Sequence, residues 1–223
     1  MATWPPPPSP PSPPPPAVRR QRQRRRRSAW IGVVAGLIGL SALVQIVFRP
    51  PWTPSTSRIA PTTAATAHRQ AAQAKVSMKW VTATDRSCRI AVPASWSKMA
   101  LNDAADIQFG NRALRQYLIV VTDDKADLAT NLSRFARDGV GTLTRGLRSK
   151  QISAPRQLRV GGRPALQYEI HGVVGTTRIV YWHTSVEGVS HYYQVIVWTG
   201  ASHAAGNGPI LRSVVTTLRE IAG

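Results

Sequence analysis

The chain has 223 residues and carries 29 lysines and arginines against 10 acidic residues, a formal net charge of +19 at pH 7. Such a surplus is typical of nucleic-acid-binding proteins. Here seven arginines crowd within residues 1–28, directly before a long apolar segment, so we expect no specific nucleic acid partner. One cysteine, Cys88, excludes an internal disulfide, and its apolar neighbours favour a buried side chain over nucleophilic or intermolecular use.

Residues 1–28 are predicted to form a disordered, Pro/Arg-rich cytoplasmic tail. The stretch 5–16 contains ten prolines, which favour an extended polyproline II rod because proline fixes φ and lacks an amide donor. That rod suits either a plain spacer or a ligand for a proline-recognition module. The residues expected to determine topology, which can also contact anionic lipid, are Arg19, Arg20, Arg22, Arg24, Arg25, Arg26 and Arg27.

The segment 29–48, which begins at Ala29 and ends at Phe48, carries no charge. As a helix it would be roughly 30 Å long, the thickness of the hydrocarbon core of a bilayer, so a transmembrane helix is predicted. Because basic residues stay on the cytoplasmic side, the C-terminal part is expected outside the cell membrane. A cleaved signal peptide fits less well, since the apolar core is long and a small-residue cleavage site lies too far downstream.

Two further features concern the predicted membrane helix and the segment after it. Gly32 and Gly36 have the spacing that lets two membrane helices approach closely, which permits a weak helix dimer, although glycine is common in such helices. Residues 49–75 are rich in Pro, Thr, Ser, Ala and Gln and are predicted to form a flexible extracytoplasmic linker. Residues 76–223 are long enough for one folded domain with a core.

The first half of this domain is predicted to contain strands followed by a helix. Alternating or continuous apolar runs place the strands at 78–83, 87–92, 106–109 and 115–122. Apolar residues then recur every three or four positions between Leu128 and Leu147, as in a helix capped by Asp124 or Asp127. Glycines at 139 and 141 lead us to expect a bend or break there.

The second half is predicted to contain two hairpins and a closing helix. Strands 156–160 and 163–171 flank Gly161-Gly162, strands 176–186 and 189–199 flank Glu187-Gly188, and the loop 172–175 joins the two units. The helix is placed at 209–222, where Pro209 suits a first turn.

A register can be inferred from these turns. It pairs Trp182 with Tyr193 and Glu169 with Arg178, and it sends alternate residues to opposite faces. One face is expected to be buried under a helix and carries Leu166, Tyr168, Ile170, Ile179, Tyr181, Ile196 and Trp198. The other combines ionisable and aromatic groups and is the candidate binding face. Its candidate residues are Glu169, His171, Arg178, Trp182, His191 and Tyr193.

The order of elements resembles one known fold. A strand pair ends in a Pro-x-x-Trp turn at 93–96, a long helix follows the next strands, and Val-Gly-Gly-x-Pro-Ala at 160–165 starts a strand before two long aromatic strands and a closing helix. This resembles the PsbP-like fold over about residues 79–222. The resemblance implies an α+β domain, an α/β/α sandwich around an antiparallel sheet, and a binding or assembly module rather than an enzyme.

Motifs for nucleophilic catalysis, zinc hydrolysis and nucleotide binding are missing from the sequence, and we expect no cofactor and no metal. His183 and His191 fall on opposite faces in the inferred register. Asp123, Asp124 and Asp127 suit a helix cap better than a cation site.

The predicted function is a single-pass, membrane-anchored extracytoplasmic module that binds a protein, peptide or cell-wall partner through the candidate face or the loop 100–114. The alternatives are an unrecognised envelope enzyme using Cys88, His171 or Glu169, and a transmembrane adaptor whose tail recruits a cytoplasmic protein.

Overall fold

The computed structural model describes residues 76–221. The predicted tail 1–28, membrane segment 29–48 and linker 49–75 lie outside the described residues, and their boundaries stay predictions. Within 76–221, neither helix combines the length and the apolar character needed to cross a bilayer. The described part is an α+β domain whose strand pairs are all antiparallel, as predicted.

The domain contains eleven strands and two α-helices in the described residues. The first five strands are β1 (Met78–Thr82), β2 (Cys88–Pro93), β3 (Ser97–Lys98), β4 (Ile107–Asn111) and β5 (Gln116–Asp124). Helix α1 (Leu132–Leu143) precedes β6 (Arg148–Ile152), β7 (Arg156–Val160), β8 (Arg163–Val174), β9 (Thr177–Glu187) and β10 (His191–Gly200). Helix α2 (Ala204–Thr216) and β11 (Arg219–Glu220) complete the described chain.

The strands form two sheets. The large sheet has the order β3-β4-β5-β10-β9-β8-β6, and β7 also pairs with β8, so β6 and β7 share the outer edge of that strand. The small sheet has the order β1-β2-β11 and therefore joins the start of the described chain to its end.

Helix α1 buries one face of the large sheet. Asn131 caps this helix, since its side chain accepts a hydrogen bond from the Arg134 N–H at 2.9 Å. The prediction that alternate residues of β8, β9 and β10 are buried under a helix is confirmed for five of the seven residues, whereas Leu166 and Ile179 are only partly buried. The buried cluster, which we call the α1-side cluster, contains Tyr168, Ile170, Tyr181, Ile196 and Trp198 from the sheet and Ala136, Val140 and Leu143 from the helix.

Helix α2 and the small sheet bury the opposite face. Trp182 and Tyr193 on this face are only 2% and 1% exposed. The aliphatic residues that cover them come from distant parts of the chain, namely Ile90 and Val92 of β2 and Leu211, Val214 and Val215 of α2. A sheet with both faces buried has a core on each side.

The predicted register of both large hairpins is wrong by four residues. Tyr193 pairs with Val186 instead of Trp182, and Glu169 pairs with Trp182 instead of Arg178. Gly172 lies inside β8, where an added Cβ would come within 3.0 Å of the Leu147 side chain, so this glycine allows close packing rather than a turn. Because the error is an even number of residues, each side chain keeps its predicted face.

The helices also differ from their predictions at their ends. Asp124 caps a separate 3₁₀ turn, Lys125–Asp127, and α1 begins only at Leu132. The helix runs through Gly139 without the predicted break. α2 begins at Ala204, so Pro209 lies within it, and it ends at Thr216 because the chain then turns to form β11. The hairpin at Gly161-Gly162 is confirmed, with φ of 58° and 80° at the two glycines.

Candidate functional site

The structure divides the six residues of the candidate binding face between the core and the surface. Trp182 and Tyr193 lie in the core, under α2 and the small sheet, and cannot contact a partner directly. Glu169 and His171 are partly exposed at the outer edge of the sheet, with 44% and 48% of their side-chain surface accessible. The face predicted from alternation therefore reaches solvent only at its margins.

One of these margins is an open cleft on β8, which we call the edge cleft. It has a volume of about 660 Å³ and forms where residues 153–155 separate β6 from β7. There the backbone N–H of Ser153 donates to the carbonyl oxygen of Glu169, and the backbone N–H of Glu169 donates to the Ser153 hydroxyl, both at 2.9 Å. The residues that line the cleft are Gln151, Ile152, Ser153, Ala154, Arg156, Gln167, Glu169, His171 and Arg212.

Glu169 is the centre of a polar chain in the edge cleft. Its Oε1 lies 2.9 Å from Nε2 of His171, and its Oε2 accepts a hydrogen bond from the Trp182 indole N–H at 2.8 Å. The guanidinium carbon of Arg212 lies 5.3 Å from the Trp182 ring centroid, a cation–π contact. The buried indole thus connects the carboxylate to an arginine on α2.

These contacts set the charge of Glu169. Partial burial alone would raise the pKa of its carboxyl, but hydrogen bonds from His171 and Trp182, together with the nearby positive charges, lower that pKa below its ordinary value. Glu169 is therefore an ionised hydrogen-bond acceptor at neutral pH. A carboxylate that already accepts two hydrogen bonds is held in one orientation, and it can position neighbouring cations.

A second chain of hydrogen bonds holds Arg156 at the cleft. Its Nη2 donates to Oε1 of Gln167 at 3.0 Å, and Nε2 of the buried Gln167 donates to Oγ1 of Thr184 at 2.9 Å. Arg156 is exposed while its anchor is buried. The guanidinium is therefore oriented by a rigid part of the sheet.

Arg178 and His191 lie away from this cleft. Arg178 is exposed and pairs with Val173 near the β8–β9 turn. His191 belongs to a second cleft of about 730 Å³, where its Nδ1 and the Arg163 guanidinium each lie 3.8 Å from a carboxylate oxygen of Glu220. The Glu220 carboxylate also accepts the backbone N–H groups of the β9–β10 loop, so this cluster fastens the end of the chain to that loop.

No family model and no curated protein sequence matches the chain, but solved structures do. Cyanobacterial PsbP (CyanoP) from Synechocystis sp. PCC 6803 has a TM-score of 0.51 and 11% identity, covering 67% of this chain and 96% of that one. LpqN of Mycobacterium tuberculosis has a TM-score of 0.50 and 11% identity, covering 73% and 98%. The domain has a PsbP-like fold. The predicted resemblance is confirmed at the level of fold.

In the PsbP-like domain the loop 100–114, an alternative binding region, is partly structural. It contains β4, and Leu101 and Ala105 pack against the α1-side cluster. Oε1 of Gln108 accepts the backbone N–H groups of Leu101 and Asn102 at 2.6 and 2.7 Å. Its turn exposes Leu114, which is 49% accessible.

Sequence reasoning missed the charge asymmetry of the PsbP-like domain. Between Asp138 and Glu169 the chain holds no acidic residue. The basic residues in this interval, all exposed, are Arg145, Arg148, Lys150, Arg156, Arg159 and Arg163. This acid-free interval was visible in the sequence. Arg212 was not, because only the fold brings α2 to the cleft.

The residues weighed for catalysis and metal binding have structural surroundings. Cys88 is fully buried, and burial raises the pKa of its thiol to about 12, which opposes a nucleophilic role. His183 and His191 lie on opposite faces, as predicted: His183 pairs with Ile196 of the α1-side cluster, whereas His191 lies beside Tyr193. Within residues 76–221, no group of three His, Cys, Asp or Glu side chains is placed to hold a metal.

Proposed function

We propose that the chain is a single-pass protein of a bacterial cell envelope whose PsbP-like domain acts outside the cell membrane as a binding or assembly module. The uncharged segment 29–48 would anchor it, and the arginines before that segment favour a cytoplasmic N-terminus. LpqN, which is described as involved in cell envelope biogenesis, shares the fold and supports an envelope role.

The binding site of this module is the edge cleft. The observation that carries this proposal is that Arg156, Arg212 and His171 line the same open cleft as the Glu169 carboxylate. Neither arginine forms an ion pair with a carboxylate among residues 76–221. Guanidinium groups with free donors recognise carboxylate and phosphate. The partner is therefore an acidic protein, peptide or cell-wall polymer.

The dimensions of the cleft suit a short segment of such a partner. A volume of about 660 Å³ lies within the range of sites that bind small ligands or a few residues of a chain. Glu169 can receive a donor from the partner beside the acidic group that the arginines bind. Trp182 contributes indirectly, because its indole N–H donates a hydrogen bond to Glu169 and its ring lies against the Arg212 guanidinium.

Photocrosslinking from the cleft tests this function. A photoreactive residue replaces Gln151 in the full chain, in native membranes, and captured material is compared with and without the double substitution R156Q/R212Q. Loss of two charge-assisted contacts should reduce capture by at least about tenfold. The matched control is R137Q, because Arg137 is an exposed arginine on α1, outside both the cleft and the loop 100–114. Capture that is unchanged in R156Q/R212Q would contradict the site.

The transmembrane adaptor remains a second candidate because the stretch 5–16 holds ten prolines, a composition that proline-recognition modules bind. In this case the primary partner is cytoplasmic. Deletion of residues 1–18 should leave capture at the cleft intact if the outer domain binds independently. Loss of that capture on deletion would favour the adaptor.

A further inference from the structure

Exposed apolar side chains are concentrated at the start of the described domain. Val76, Met78 and Trp80 are 51%, 38% and 53% exposed. They are three of the six large hydrophobic residues exposed among residues 76–221, and they fall within five consecutive positions. Exposed apolar side chains that cluster in this way, beside polar residues, are typical of surfaces that bind a protein or a membrane.

These side chains share the outer face of the small sheet with two cations. Exposure alternates along β1, so Met78 and Trp80 point away from the core. The neighbouring Arg89 is exposed on β2, and its guanidinium carbon lies 4.8 Å from the Trp80 ring centroid. Arg219 of β11 pairs with Arg89 and is also exposed. We call these five residues the small-sheet patch.

The position of the patch in the chain indicates what covers it. The chain passes directly from linker 49–75 into Val76, the first residue of the patch. A linker of that length with the flexibility predicted from its composition would span about 30 Å. The anchor in the proposed function, on which this step rests, therefore keeps the patch within reach of the membrane surface.

We propose that the small-sheet patch docks onto the anionic lipid headgroups of the membrane that holds the anchor. Tryptophan is favoured at the membrane interface, where its ring lies at headgroup level. Arginine stems lie along apolar surface while their heads reach the phosphates. The negative surface potential of anionic lipid attracts Arg89 and Arg219. Docking would hold the domain in one orientation relative to the membrane.

The test places a polarity-sensitive fluorophore on Met78→Cys in the full chain, reconstituted in nanodiscs. The native thiol can stay, because Cys88 is fully buried. The matched control is Ser133→Cys, at an exposed position on α1, which covers the opposite face of the large sheet. One set of nanodiscs contains phosphatidylcholine alone, and the other contains phosphatidylcholine mixed with phosphatidylglycerol.

With phosphatidylglycerol, the Met78→Cys probe should shift to shorter wavelength and be quenched by headgroup spin labels, whereas the Ser133→Cys probe should not change. Each of R89Q and R219Q should lower the ratio of docked to undocked protein by about fivefold. Trp80→Ala should lower it further without unfolding the domain.

Two results would overturn the docking. One is a Met78→Cys probe that stays in water with both lipid mixtures. The other is a probe that is covered only when soluble glycan fragments are added, which would make the patch a sugar site. Anchoring is read separately from whether the chain stays with the nanodiscs in gel filtration. A chain that leaves them contradicts the proposed function, and a chain that stays with an undocked probe contradicts the docking alone.

Discussion

The two faces of the large sheet are both buried, but different parts of the chain bury them. Helix α1, which lies next to the sheet strands in sequence, covers the face that carries Tyr181 and Trp198. The face that carries Trp182 is covered by α2 and by the small sheet, whose strands come from both ends of the described domain. A face covered by distant segments looks free when the strands are considered alone.

This difference shows where a binding surface can lie. Because both faces are covered, only the margins of the sheet are open to a partner. Polar side chains of the Trp182 face reach solvent at the β6–β7 margin, where they line the edge cleft. The buried indole of Trp182 then serves as a support for Glu169 and Arg212 instead of as a contact surface.

Truncation of Trp182 is the strongest test of whether the sheet face that carries it is buried. We expect Trp182→Ala to lower the free energy of unfolding by about 3–5 kcal/mol, because a large buried side chain is removed and a cavity remains. Trp80→Ala, at an exposed tryptophan, is the matched control and should change it by less than about 1 kcal/mol. Denaturant unfolding of the full chain in detergent measures both. Equal small effects would mean that the Trp182 face is open.

Acid should destabilise the domain through His183, which is buried on the α1 side of the sheet. Burial lowers the pKa of its imidazole from 6.5 to about 4, so the unfolded chain binds the proton more readily than the folded one between these values. Stability should therefore fall as pH drops from about 6.5 to about 4, by up to roughly 3 kcal/mol.

Unfolding curves at a series of pH values measure this loss, and His183→Gln should flatten the curve in that window. An unchanged slope in His183→Gln would show that other groups cause the acid sensitivity.

Substitutions at two glycines of α1 distinguish the effect of close packing on stability from the effect of helix propensity. A Cβ at Gly139 would lie 2.5 Å from Oε1 of Gln194 and 2.9 Å from Nε2 of His183, whereas a Cβ at Gly141 would meet nothing within 4 Å. Gly139→Ala should therefore destabilise the domain by about 1–3 kcal/mol through overpacking. Gly141→Ala should stabilise it by up to about 1 kcal/mol through helix propensity. Thermal unfolding compares them, and destabilisation of equal size would contradict this account.

The sequence predicted the α1-side core because strand alternation is a local signal. Tyr168, Tyr181 and Trp198 keep their predicted face even though the register is displaced by four residues. In the β8–β9 hairpin the displacement arises because the pattern predicts a turn at Gly172, but this glycine lies in a strand against Leu147. In the β9–β10 hairpin it arises because the connection is longer than predicted, so that Glu187 pairs with Tyr192. Close approach and turn formation both select glycine, and sequence alone does not separate them.

The cover of the opposite face and the edge cleft could not be predicted in the same way. Strands β3 and β11 have two residues each, too few for a periodic pattern. Arg212 reaches the cleft from α2, far from β8 in sequence, and its contact with Trp182 depends on how that helix packs. Such contacts are consequences of tertiary structure.

The most direct test of the account is the side of the membrane on which the PsbP-like domain lies. Ser133→Cys in the full chain can be treated, in intact cells, with a maleimide that does not cross membranes, and the unmodified chain is the control because Cys88 is fully buried. We expect Ser133→Cys to be labelled in intact cells to the level reached after permeabilisation. Labelling that appears only after permeabilisation would place the domain in the cytoplasm and contradict the account.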